Sequence, residues 1–82
     1  MQITVLLFAR LRDIVGTSEL TRDLPTGATN KMLWDLLNEE FKELKKYDDI
    51  VSVAVNTEYS NMNEILQDGD EVAFLPPVSG GS

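Results

Sequence analysis

One segment in the middle of the chain leaves few ways to build a core. Leu33, Leu36, Leu37, Phe41 and Leu44 recur at three- and four-residue steps, which aligns them as a single apolar stripe on a helix over about 29–45. The other apolar runs are of strand length: 2–9, 19–24, 50–56 and 71–75. One stripe needs one apolar surface to cover it, and these runs can supply one sheet. With 82 residues in all, the pattern predicts one small two-layer α+β domain near the lower end of what folds unaided.

Local signals punctuate that plan. Residues 9–15 suit a short helical turn closed by Gly16, and Pro25-Thr26-Gly27 breaks the chain before the main helix. Thr26, Thr29 and Asn30 are all suitable N-caps. Lys42, Lys45 and Lys46 fall in the helix's last turns, where cations complement its dipole. Trp34 lies off the stripe and is expected to cover the edge of the core. Residues 59–66 suit a short edge strand or turn, and Asp68-Gly69-Asp70 a tight turn into the last strand.

Alternation splits each strand into two faces. Ile3, Val5 and Leu7, then Val51, Val53 and Val55, then Val72 and Phe74 form uniformly apolar sets that should meet the helix. The opposite set should face water, yet it carries Leu6, Phe8 and Leu75 beside the small residues Ala54 and Ala73. Such an open sheet face is a docking patch if the first and last strands are neighbours.

Composition narrows the chemistry. The chain has no cysteine and no histidine, so it lacks a thiolate nucleophile, the usual general base and the common soft metal ligands. No metal site is expected. A formal net charge of −7, with no clustered Lys/Arg, argues against nucleic acid and fits a partner with a basic docking face. The first residues show no basic, apolar and small-residue leader pattern, and no apolar run is long enough to span a bilayer. A cytoplasmic protein without membrane partners is the expectation.

After the last strand the chain reads Pro76-Pro77-Val78-Ser79-Gly80-Gly81-Ser82. Two prolines hold the backbone extended, so the chain should leave the domain as a stiff arm. Gly80 and Gly81 carry no side chain and can enter a channel too narrow for other residues. The expected organisation is therefore a domain over 1–75 and an extended tail over 76–82.

Together these residues resemble the ubiquitin-like β-grasp small subunit of molybdopterin synthase. The resemblance rests on Val5-Leu6-Leu7-Phe8-Ala9 with Leu11-Arg12-Asp13, on Val53-Ala54-Val55-Asn56, and above all on Asp68-Gly69-Asp70-Glu71-Val72 preceding Pro76-Pro77-Val78-Ser79-Gly80-Gly81. It implies a mixed sheet of four to five strands packed on one main helix. It further implies a sulfur carrier in molybdenum cofactor biosynthesis. A ubiquitin-activating-like enzyme spends ATP to adenylate the Gly81 carboxylate, and a sulfurtransferase supplies the sulfur of a thiocarboxylate. No cofactor is held stably. The tail, Pro76 to Gly80, enters the large subunit of a heterotetramer, where Gly81 donates sulfur to the cyclic pterin precursor.

Phe8, Tyr59 and Leu75 match contact positions of that family, Arg12 matches an arginine near them, and Leu6 joins them by strand alternation. Two other readings stand beside this one. One is a ubiquitin-like modifier conjugated through Gly81; the other is a sulfur carrier for thiamine synthesis or tRNA thiolation. Ser82 departs from the family pattern, because Gly81 in amide linkage has no carboxylate to adenylate. A cloning remnant, a precursor residue and the start of a fused domain are equally open explanations.

Overall fold

The computed structural model describes residues 1–77. The elements are β1 (Gln2–Leu7), α1 (Ala9–Val15), β2 (Glu19–Asp23), α2 (Asn30–Glu40), a 3-10 helix (Lys42–Tyr47), β3 (Ser52–Val55), β4 (Glu58–Tyr59) and β5 (Glu71–Leu75). They form a five-stranded sheet in the order β2-β1-β5-β3-β4. β1 runs parallel to β5, and the other neighbours are antiparallel. The sheet is therefore mixed, with the first and last strands side by side at its centre, as the docking-patch reading requires.

The face sets separate as alternation predicts. Ile3, Val5, Leu7, Val53, Val55, Val72 and Phe74 are buried under the helical layer. Val51 is only half-buried and precedes β3. The run expected to be strand over 50–56 is shorter because the N–H groups of Ile50 and Val51 both donate back to the Tyr47 carbonyl, closing the 3-10 helix. β1 likewise stops at Leu7, since Ala9 turns to φ 50° to start α1. Gly16, at φ 91°, ends that helix in the left-handed region.

The main helix starts where the sequence places it and differs from that reading in its buried face and in its end. Thr29 is its N-cap, accepting a hydrogen bond from the Met32 N–H at 3.3 Å. Its buried face is Asn30, Leu33, Trp34 and Leu37, an i, i+3, i+4, i+7 set centred beside the expected stripe. Trp34 is thus core, only 3% exposed, while Leu36 is half-buried. Polar Asn30 hides the true stripe in the sequence; its amide nitrogen donates to the Asn61 carbonyl at 2.9 Å and to Ser60 Oγ at 3.3 Å, while its Oδ1 is buried without a partner among the described residues.

The helix also ends early. Phe41 leaves helical geometry at φ −130°, ψ 88°, and the expected continuation to residue 45 is the separate 3-10 helix. Phe41, Leu44 and Tyr47 are spaced by three, which suits three residues per turn and keeps Leu44 fully buried. Lys45 and Lys46 consequently lie in the last turn of the 3-10 helix and not of α2.

Candidate docking face and tail root

Strand register builds the open face of the sheet. Leu6 on β1 lies opposite Ala73 on β5, Ala73 opposite Ala54 on β3, and Ala54 opposite Tyr59 on β4. These four residues make one row across four strands. The two alanines form a low floor, and Leu6 and Tyr59 rise at its ends. Phe8 and Leu75 stand one row further on: Leu75 ends β5, paired with Ser52 of β3, and Phe8 follows the end of β1. The result is a hollow of about 260 Å³ with apolar walls and with Thr57 and Glu71 on its rim.

This face is open to solvent. Phe8 is 43% exposed and Tyr59 82% exposed, values that large rings keep only where nothing within the domain covers them. Tyr59 is held out by the β3–β4 hairpin, whose turn residues Asn56 and Thr57 both have positive φ, 51° and 73°. Asn56 is braced for this: its amide donates to Asp70 and its carbonyl accepts the Glu71 N–H.

A second hollow, of about 640 Å³, opens where β5 gives way to the tail. Phe8 and Leu75 belong to both hollows, so the two adjoin. Pro76 and Pro77 line it from the chain's own stem, and Arg10 and Tyr47 line it from α1 and the 3-10 helix. Arg10 and Tyr47 are absent from the sequence reading. Tyr47 could have been found from its three-residue spacing after Phe41 and Leu44; Arg10 depends on the left-handed turn at Ala9, which no local pattern announces.

Leu6, Phe8, Tyr59 and Leu75 are therefore brought together, and Pro76 and Pro77 adjoin them. Arg12 is exposed on α1 and lines neither hollow. Val78, Ser79, Gly80 and Gly81 lie outside the described residues. Among the described residues, no group of three or more His, Cys, Asp or Glu side chains could hold a metal ion. No helix there is long and apolar enough to cross a membrane. The side chains of both hollows suit binding of another protein's apolar surface, and neither offers a histidine or cysteine for bond-making.

A mixed sheet grasping one main helix, with an open apolar face beside a proline stem, defines a ubiquitin-like β-grasp domain. The chain belongs to the ThiS family, whose model matches residues 5–81. It is 41% identical over 81 residues to the molybdopterin synthase sulfur carrier subunit of Arabidopsis thaliana, covering 99% of this chain and 84% of that one.

Two solved structures share its fold. The small archaeal modifier protein 1 of H. volcanii superposes with a TM-score of 0.84 at 28% identity, covering 94% of this chain and 98% of that one. A chain in the complex of subunits 1 and 2 of molybdopterin-converting factor from Helicobacter pylori 26695 gives a TM-score of 0.69 at 27% identity, covering 99% of this chain and 100% of that one.

Proposed function

We propose that this chain is the sulfur carrier subunit of a molybdopterin synthase, with Gly81 as its working residue and the open sheet face as its dock for the large subunit. The observation that carries the proposal is the meeting of the Leu6–Ala73–Ala54–Tyr59 row with the Pro76-Pro77 stem at Leu75. A partner seated on the face also meets the Pro76-Pro77 stem from which the tail continues. The 41% identity with a curated sulfur carrier over nearly the whole chain supports the same reading.

The chemistry follows from what a carboxylate cannot do. It is a poor electrophile, so an activating enzyme transfers AMP from ATP to the Gly81 carboxylate and pyrophosphate leaves. A sulfur nucleophile then displaces AMP and leaves a C-terminal thiocarboxylate. That anionic sulfur attacks an electrophilic carbon of the pterin precursor in the large subunit, an oxygen substituent of that carbon leaves, and hydrolysis of the resulting thioester leaves sulfur on the pterin and returns the Gly81 carboxylate. Acid–base groups come from the partners, consistent with a chain that has neither histidine nor cysteine.

The test uses the chain ending at Gly81 with the activating enzyme, ATP and a sulfur source. The expected product is heavier by one exchange of oxygen for sulfur, and it converts the cyclic pterin precursor only when the large subunit is added. A second reading is a protein modifier, favoured by the likeness to small archaeal modifier protein 1. Lysine conjugates of Gly81 without pterin conversion would establish that reading instead.

A further inference from the structure

The tail-root hollow contains one feature that an apolar dock does not need. Arg10 is exposed, lines the hollow, and has no ion pair or side-chain hydrogen bond among the described residues. The contrast with Arg22 is informative, because Arg22 is tied to Glu40. Arg12, Lys42 and Lys45 likewise make no ion pair among the described residues, but none of them lines either hollow, and Arg10 does. Its surroundings are Phe8, Tyr47, Leu75 and the two prolines, an apolar frame in which a covered charge must be paired.

Resting on the reading of this chain as a sulfur carrier, we propose that Arg10 is a positioning residue that pairs with a carboxylate on the large subunit beside the mouth of its tail channel. Three observations support that occupant. The tail-root hollow shares Phe8 and Leu75 with the docking hollow, so a partner covering one covers the edge of the other. Arg10 is the one cation lining either hollow, which matches a single carboxylate and not a polyanion that the net charge would repel. The planar fork of a guanidinium binds a carboxylate through two parallel hydrogen bonds, which fixes rotation as well as distance.

The benefit lies in register. An apolar floor tolerates sliding, and general acidity attracts a basic partner from any direction. A local cation in an acidic domain is the element that one pose satisfies and shifted poses leave unpaired. Arg10 stands at the stem, so the register it fixes is that of the tail.

The experiment measures affinity of the chain ending at Gly81 for the large subunit at two salt concentrations. It compares wild type with Arg10→Gln, Arg10→Lys and Arg10→Glu, and with Lys42→Glu as a distant change of the same charge. Arg10→Gln should weaken binding about tenfold and Arg10→Glu more, while Arg10→Lys recovers part of the loss. The dependence on salt should flatten in Arg10→Gln, and thermal stability should be unchanged because Arg10 makes no contact that folding needs. Lys42→Glu should bind within about twofold of wild type. The proposal is overturned if Arg10→Glu binds like wild type, if Lys42→Glu loses as much, or if the loss appears only with the activating enzyme. If wild type itself does not bind the large subunit, it is the sulfur-carrier reading that fails.

Discussion

The indole of Trp34 on α2 rests on the ring of Phe74 on β5, centroids 4.9 Å apart and planes tilted by 47°. The pair joins the helix to the strand that ends in the tail. Phe74 is fully buried, and its strand neighbours Ala73 and Leu75 point to the opposite, docking side. The inner face of β5 thus holds the outer face in place. Trp34 is further fixed by donating its indole N–H to Asp48 Oδ1 at 2.7 Å.

Removing that ring should be among the most damaging changes to the fold. Trp34→Ala leaves a cavity against Phe74 and is expected to cost about 3–5 kcal/mol, most of the stability of so small a domain. Trp34→Phe keeps an aromatic contact and should cost clearly less. Denaturant unfolding followed by circular dichroism measures both, since Trp34 is the chain's one tryptophan and its fluorescence is lost in either variant.

The docking face predicts the opposite division of effects. Phe8→Ala and Tyr59→Ala remove exposed rings, so each should change unfolding free energy by less than about 1 kcal/mol. Each should weaken binding to the large subunit by about 1–3 kcal/mol if these rings are anchors. Equal losses of folding and binding would assign the rings to the core.

Asn30 is a polar group that the fold uses internally. Asn30→Ala deprives the Asn61 carbonyl and Ser60 Oγ of a donor and should cost about 1–3 kcal/mol. Because these partners follow β4 directly, the loop beyond Tyr59 should loosen first. Amide exchange at residues 60–66 should rise more than exchange in β1 or β5.

One ion pair predicts an acid-side effect. Arg22 on β2 donates through Nε to Glu40 Oε2 at 2.7 Å, and this hydrogen bond, ahead of simple charge attraction, holds the Glu40 carboxyl below its ordinary range. A depressed carboxylate stabilises the fold above its unfolded pKa, and that stability is lost as pH falls through the folded value. The side chains are 27% and 34% exposed, so solvent screening limits the pair to about 0.2–1 kcal/mol. Glu40→Gln should therefore lower stability at neutral pH, and the gap from wild type should close on acidification below the ordinary carboxylate pKa.

Much of this is legible in the sequence because its causes are local. Period-two alternation identifies Ile3, Val5, Leu7, Val72 and Phe74 as inner residues, and the same alternation exposes Leu6 and Leu75. Trp34 is misread because buried Asn30 masks the first position of the true stripe, and its bonds to Ser60 and Asn61 lie 30 and 31 residues away. The break at Phe41 is hidden because steps of three occur in both α and 3-10 helices. Arg10 becomes visible only when parallel pairing brings the end of β1 beside the end of β5 and a left-handed Ala9 turns the chain.

The most direct test is a single turnover of the thiocarboxylated chain ending at Gly81 with the large subunit and the cyclic pterin precursor. The C-terminal sulfur and the sulfur-bearing pterin product are followed together. The account predicts that product forms only as carrier sulfur is consumed, each sulfur transferred returning one Gly81 carboxylate. Product that accumulates while the carrier keeps its sulfur, or sulfur lost without product, would contradict it.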